Sequence, residues 1–208
     1  GPGTGQATDP ILGTGCDYHA IELGEHLAAM MKKKYGAYPN FHILQDDFIT
    51  HDFGGQTFHL IYSAATIQWI PEDIAFSKTF DLLKPGGTLA MMLTKMDYKT
   101  PNETLFYKIQ EVYAAYFKPE IEYPHGAFNY TNASHYGYTD FEKREYGGKR
   151  ELTADEYVAY AGTHCDPLVI PEPYRSRFFS GLREAVLEAG NKIVFHDTFV
   201  LFLARKPV

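Results

Sequence analysis

The sequence predicts an α/β fold, because short apolar segments alternate with segments of helical periodicity. The apolar segments cover residues 18–23, 41–44, 58–63 and 88–93, each the length of one buried strand. A second observation is the glycine-rich turn formed by Gly1, Gly3 and Gly5, since such turns join strands to helices in sheets of this kind. We therefore expect a doubly wound, mostly parallel sheet with helices on its faces.

Two helices are expected between these strands. The first covers residues 25–35, has three lysines in its last turn and stops at Gly36, so its lysine run is explained by the negative end of the helix. The second begins at Pro71, carries acidic residues in its first turn and ends at Leu83, before Pro85-Gly86-Gly87.

The chain becomes strongly aromatic over residues 97–140, which hold half of the 16 tyrosines. Thr100 and Glu103 have the spacing of a capping box, which predicts a helix that includes Ile109 and Tyr116. We interpret residues 1–208 as a single domain with a helical, aromatic lid inserted at about 97–140. A further part of this lid is expected between 161 and 180.

The C-terminal third has three more signals. Thr153 and Glu156 form a second capping box, with Leu152 and Tyr157 placed as a hydrophobic staple. A helix begins near Pro171 and stops at Gly190; its apolar face consists of Phe178, Leu182, Ala185 and Val186. Residues 198–204 form the last strand.

Composition narrows the classes of partner. Nineteen Lys and Arg against 26 Asp and Glu give a net charge of −7, so we expect no broad cationic face and no nucleic acid partner. The apolar runs are far shorter than the roughly 18 residues of a membrane span, so no membrane partner is expected. Cys16 and Cys165 fit no metal-ligand spacing. They suit a reducing cytoplasm, and no metal is expected.

The glycine turn and Glu22 together suggest a nucleoside site. Glu22 closes the first apolar segment about 20 residues past the turn, where an acidic residue can accept hydrogen bonds from ribose hydroxyls. Gln6 stands where a dinucleotide fingerprint requires glycine. The turn therefore favours a nucleoside without a pyrophosphate over NAD.

Five segments resemble, in order and spacing, the motifs of class I S-adenosylmethionine-dependent methyltransferases. They are Gly1 to Thr8, Glu22, Gln45 to Phe48, Phe58 to Ser63, and the Leu-Lys-Pro-Gly-Gly-Thr-Leu segment at 83–89. The resemblance covers residues 1–92. Residues 64–70, the 152–161 helix and the last strand are similar to a small-molecule branch, type 11, that includes trans-aconitate methyltransferases.

The resemblance implies a Rossmann-like sheet of seven strands whose last strand is antiparallel, and it implies S-adenosylmethionine as the cofactor. It places Gly1, Gly3 and Gly5 around the methionine moiety and the ribose at Glu22, beside Leu23. Asp46 or Asp47 would face the adenine, with Phe48 in contact with it. Ser63 and Ala64 would line the cleft below the sulfonium.

The sequence departs from the family pattern in two places. His59 stands where the family commonly has aspartate, and the first strand and preceding helices of the family are absent from the sequence. We therefore expect the natural protein to extend further upstream.

The chemistry of methyl transfer decides which residues could contact the methyl acceptor. A sulfonium methyl is already activated, so transfer requires alignment, and a general base only where the acceptor is a hydroxyl or an amine. Weak candidates are Gln68, Trp69, Tyr107, His125, His135, Tyr136 and Tyr138. The leading hypothesis is methyl transfer to a small molecule. The alternatives are a cofactor-binding protein without transferase activity and a nicotinamide-dependent enzyme. The acceptor and the oligomeric state stay open.

Overall fold

The computed structural model describes residues 1–120 and 128–208. These residues divide into two compact units. Unit 1 comprises residues 1–93, 128–144 and 201–208, and unit 2 comprises residues 94–120 and 145–200. The two described parts of the 97–140 stretch fall in different units, and its role as a lid stays a prediction.

Unit 1 begins with the glycine turn and two strand–helix pairs. Its first elements are α1 (Thr8–Leu12), β1 (Tyr18–Glu22), α2 (Glu25–Tyr35) and β2 (Phe41–Gln45). The strands β1 and β2 are parallel, with Tyr18 opposite Phe41 and Glu22 opposite Gln45. A small core holds this layer together and consists of Leu12, Tyr18, Met31, Tyr35 and Phe41. The observed bounds of α2 are those predicted.

The next strand–helix–strand unit follows the prediction, but its second strand extends beyond the predicted 88–93 at both ends. It contains β3 (Phe58–Ala64), a 3₁₀ helix (Ile67–Trp69), α3 (Glu72–Leu82) and β4 (Leu83–Asp97). Strand β3 runs parallel to β4. Strand β4 begins within the Leu-Lys-Pro-Gly-Gly segment, where Gly86 has φ +75° and Gly87 lies against the chain: a Cβ on Gly87 would be 2.8 Å from the Lys84 carbonyl oxygen. Gly86 is required because its backbone is left-handed, and Gly87 is required because a side chain would overlap the neighbouring backbone.

Two long strands complete the larger sheet. They are β5 (Thr139–Leu152) and β6 (Ile193–Arg205), and the sheet order is β3-β4-β6-β5. Lys206 N–H donates to the Gly87 carbonyl oxygen at 2.9 Å, so the end of β6 lies beside the beginning of β4. Strand β6 is therefore antiparallel to β4, which confirms the expectation for the last strand. It is longer than the predicted 198–204.

The described residues form six strands in two separate sheets, not the seven strands of one sheet that the resemblance implies. Among the described residues, the smaller sheet consists of β1 and β2. Gly1 lies between the two sheets: its N–H donates to the Ile21 carbonyl oxygen at 2.7 Å, and its own carbonyl oxygen accepts from Thr66 Oγ1 at 3.1 Å. The turn thus contacts the carboxyl ends of both β1 and β3.

Unit 2 is a helical layer with its own core. Its helices are a 3₁₀ helix (Thr100–Asn102), α4 (Glu103–Tyr116), α5 (Ala154–Ala161), α6 (Cys165–Leu168) and α7 (Tyr174–Glu188). The core includes the predicted apolar face of α7, consisting of Phe178, Leu182, Ala185 and Val186. Across the described ranges, no helix is both long and apolar enough to cross a bilayer.

Of the two predicted capping boxes, the structure forms one and does not form the other. The box at Thr153 is formed: its Oγ1 accepts from the Glu156 N–H, and the Glu156 carboxylate accepts from the Thr153 N–H at 2.8 Å. The box at Thr100 is wrong. Asp97 Oδ1 accepts the N–H groups of Lys99 and Thr100, both at 3.0 Å, and a 3₁₀ turn precedes the α-helix.

Candidate functional site

Glu22 ends β1, and its buried carboxylate is directed at the glycine turn. The residue is 6% exposed. Its Oε2 accepts the Gly3 N–H at 3.0 Å and its Oε1 accepts the Gly24 N–H at 3.1 Å. A buried carboxylate is stable only with such donors, and these two fix its orientation. Each oxygen keeps a further acceptor position, which suits a pair of neighbouring hydroxyls.

The glycines of the turn serve different purposes. Gly3 has φ +58°, and a Cβ there would have Gln6 Oε1 at 3.9 Å as its nearest neighbour, so this side of the turn is open. Gly5 has φ +86°, and a Cβ would lie 2.8 Å from Met31 Sδ and from Tyr35 Cε2. Gly3 therefore leaves space for a ligand to approach the backbone, whereas Gly5 lets the turn pack against α2.

The chain after β3 closes the other side of the turn. Ser63 Oγ accepts the Ile67 N–H at 2.9 Å, and Thr66 Oγ1 is 3.1 Å from the Ala64 carbonyl oxygen. Ala65 has φ +53°, a left-handed conformation that costs a non-glycine residue free energy. This turn brings Thr66 to Gly1, a contact that no sequence signal indicated.

The acidic pair after β2 organises its own loop. Asp46 Oδ2 is 2.8 Å from His51 Nδ1, and Oδ1 accepts the Asp47 N–H at 2.8 Å. These hydrogen bonds, the one from His51 first, hold the pKa of Asp46 below its usual range. Asp47 Oδ1 accepts the Ile49 N–H at 2.8 Å. Phe48 follows, with Lys78 Nζ 5.3 Å from its ring centroid.

Gln68 and Trp69 lie on the 3₁₀ helix after β3. Gln68 Oε1 accepts the Tyr130 hydroxyl at 3.2 Å, and Trp69 is 47% exposed. Tyr130 belongs to a second 3₁₀ helix (Tyr130–Tyr136) of unit 1. Together these side chains offer a polar, partly aromatic surface. Sequence reasoning missed Tyr130, although Asn129, which precedes that helix and accepts the Thr131 N–H through its side chain, is a typical N-cap residue.

Glu72, another residue that sequence reasoning missed, positions the Tyr130 segment. Its Oε1 accepts from Asn132 Nδ2 at 2.8 Å and its Oε2 accepts the Asn129 N–H at 2.9 Å. These bonds lower the pKa of Glu72, first of all the one from Asn132, so the carboxylate is ionised at neutral pH. Both its oxygens are engaged, which makes Glu72 a positioning residue and a poor general base.

The remaining candidates lie in different places. His135 is exposed in the same 3₁₀ helix as Tyr130, and Tyr136 packs against Phe76. Tyr138 is buried, with its hydroxyl 2.8 Å from Thr79 Oγ1. Tyr107 is exposed on α4 of unit 2. His125 lies outside the described residues. Leu23 follows Glu22 and is 67% exposed.

Comparison with known proteins finds similar sequences over part of the chain. The family profile "Methyltransferase domain" matches residues 1–91. A segment of 49 residues is 37% identical to a ribosomal RNA small subunit methyltransferase A from Synechococcus sp. (strain JA-3-3Ab); it covers 24% of this chain. The chain spans only 18% of the length of that relative.

Solved structures share the fold. A protein assigned as a type II methyltransferase from Anaeromyxobacter dehalogenans superimposes with a TM-score of 0.66 at 15% identity; the match covers 100% of this chain and 88% of that one. A Haemonchus contortus phosphoethanolamine N-methyltransferase superimposes with a TM-score of 0.57 at 17% identity, over 100% of this chain and 48% of that one. Residues 1–91 therefore match a methyltransferase domain profile, and the chain as a whole shares the fold of proteins described as methyltransferases.

Proposed function

We propose that this protein transfers the methyl group of S-adenosylmethionine to a small-molecule acceptor. The observation that carries the proposal is the buried Glu22 carboxylate, held 3.0 Å from Gly3 N at the carboxyl edge of β1. In doubly wound sheets, ligands bind at this edge.

The residues present fit an adenosyl ligand. Glu22 would accept the ribose hydroxyls, since both its oxygens keep an acceptor position. The open side of Gly3 would receive the methionine moiety, and the Gly1–Thr66 contact fixes that wall of the turn. Asp46 or Asp47 would face the adenine.

The bound cofactor supplies an electrophilic methyl group, so the protein needs to align the acceptor and exclude water. Alignment of this kind contributes up to about 7–11 kcal/mol in intramolecular reactions. Gln68, Trp69 and Tyr130 would bind the acceptor, because they lie beyond the carboxyl end of β3 and combine hydrogen-bonding groups with aromatic surface. Trp69 would supply an apolar face.

A small acceptor agrees with two features. The net charge of −7 disfavours a polyanionic substrate. The Haemonchus contortus protein, 48% of whose length matches this chain in fold, was solved in complex with two small molecules, phosphomonomethylethanolamine and S-adenosylhomocysteine.

The first experiment measures cofactor binding and turnover separately. Calorimetric titration with S-adenosylhomocysteine should show one site, and NAD should show none. Incubation with S-adenosylmethionine and a panel of small carboxylic acids, amines and phenols should then produce S-adenosylhomocysteine. Binding without turnover of any acceptor would favour a cofactor-binding protein without transferase activity, and binding of NAD alone would overturn the proposal.

Glu22 supplies the matched variants. Glu22→Gln keeps the shape of the side chain and should weaken S-adenosylhomocysteine binding at least tenfold, because the two ribose hydroxyls lose a charged acceptor. Glu111→Gln makes the same change at an exposed glutamate of α4, so it is the control and should bind normally. Equal affinities for E22Q and wild type would remove Glu22 from the ribose site.

A further inference from the structure

A cluster of metal-ligating side chains lies at the opposite ends of β1 and β2 from Glu22 and Gln45. His19 and His42 are register partners on the two parallel strands. In-register neighbours on adjacent strands project from the same face of a sheet. Their imidazole rings accordingly lie side by side, with centroids 4.6 Å apart. Asp17 precedes β1 by one residue and completes the cluster.

The carboxylate of Asp17 joins the two histidines. Its Oδ2 is 3.0 Å from His19 Nε2, and its Oδ1 is 3.0 Å from His42 Nε2. All three ligand atoms lie within 4.8 Å of one another. A tetrahedral centre with bonds of about 2.0–2.1 Å places its ligands about 3.3 Å apart. The two nitrogen–oxygen distances are already close to this value, and a rotation of the more exposed His42 would bring in its nitrogen.

Access and charge also suit a cation. The side chains of Asp17, His19 and His42 are 71%, 32% and 52% exposed, so an ion can reach them from solvent. Imidazole nitrogen together with carboxylate oxygen is a donor set that Zn²⁺ prefers, while Mg²⁺ and Ca²⁺ prefer oxygen alone.

We propose that Asp17, His19 and His42 bind Zn²⁺ or a similar divalent transition metal, with water in the remaining coordination position. Each imidazole binds through Nε2 as the neutral form, with its proton on Nδ1. The metal ties β1 to β2 at the end of the strands that the candidate nucleoside site does not use. His19 and His42 are 23 positions apart in the sequence, so no short spacing motif indicates the site. The strand register brings them together.

The test is a calorimetric titration of the untagged chain with ZnCl₂ at neutral pH. One equivalent of Zn²⁺ should bind, and Co²⁺ should give the visible absorption bands of a low-coordinate nitrogen and oxygen site. His42→Gln and Asp17→Asn should each weaken Zn²⁺ binding at least tenfold, and the double variant H19Q/H42Q should abolish it. All three side chains are at the surface, so the circular dichroism of each variant should match that of the wild type.

His59 offers the matched control. It is an exposed histidine near the start of β3, outside the cluster, and His59→Gln should bind Zn²⁺ as the wild type does. Equal Zn²⁺ affinity in the wild type and H19Q/H42Q would overturn the proposal. The result is independent of the nucleoside site, because Glu22→Gln should keep full Zn²⁺ binding even where it loses S-adenosylhomocysteine.

Discussion

Gly3 and Gly5 have the same left-handed conformation but different surroundings, and this difference predicts separable effects. Gly3→Ala should lower the free energy of unfolding by only about 1–2 kcal/mol, the cost of a left-handed alanine. Gly5→Ala adds overlap with Met31 and Tyr35 at 2.8 Å and should cost about 2–4 kcal/mol. Urea denaturation measures both.

Binding should reverse that order of severity. The new methyl group of G3A enters the open side of the turn and should weaken S-adenosylhomocysteine binding at least tenfold, measured by calorimetry on the folded variant. G5A places its methyl group against α2, so the folded variant should bind S-adenosylhomocysteine with an affinity closer to that of the wild type. A G3A variant with the affinity of the wild type would show that no ligand approaches Gly3.

Individual residues also show which parts of the candidate site could be predicted from the sequence and which could not. Glu22 could be placed from the sequence because a strand end and a fixed distance from the glycine turn define it. Thr66 could not, since its contact with Gly1 depends on the left-handed Ala65 and on a separation of 65 residues. Glu72 was missed for a similar reason: its partners, Asn129 and Asn132, lie far along the chain.

Among the secondary-structure elements, β5 was not predicted because it has no apolar periodicity. Nearly every residue from Thr139 to Leu152 is exposed, and β5 is at the edge of the sheet order. A strand that pairs on one side only and buries neither face needs no alternating hydrophobic pattern. Strands β1 to β4, which carry the candidate site, were predictable from their apolar runs, although β3 has no buried residue and Phe41 is the one buried residue of β2.

An ion pair of unit 2 fastens β5 to β6. Arg150 donates through Nε and Nη2 to the two oxygens of Asp197, the latter at 3.0 Å, and the Asp197 side chain is fully buried. The guanidinium also lies 4.9 Å from the ring centroid of Tyr160. Arg150→Ala would leave a buried carboxylate without its cation and should lower the free energy of unfolding by about 3–5 kcal/mol in urea denaturation.

The matched control for R150A is Arg183→Ala in the same unit. Arg183 pairs with Asp155 at 2.7 Å, but both side chains are about half exposed or more, at 49% and 77%. Such surface pairs contribute about 0–1 kcal/mol. Equal losses for the two variants would show that burial of Asp197 does not set the strength of the β5–β6 contact. The double variant R150M/D197L should recover much of the loss, since it removes the charge pair as a whole.

For the whole molecule, the net charge of −7 predicts a weak affinity for nucleic acid. A ribosomal RNA fragment is a suitable test ligand, because a 49-residue segment of the chain is 37% identical to a ribosomal RNA methyltransferase. Non-specific binding to nucleic acid comes from cationic groups that displace counterions, and it commonly gives a Kd of about 10⁻⁴–10⁻⁶ M. Without a net cationic charge, the Kd for a structured ribosomal RNA fragment should be above about 10⁻⁴ M at physiological salt.

Filter binding at 50 and 200 mM salt, with and without S-adenosylhomocysteine, measures this Kd. A micromolar Kd that falls steeply with salt would reveal a local basic surface and move the acceptor class from small molecules to RNA.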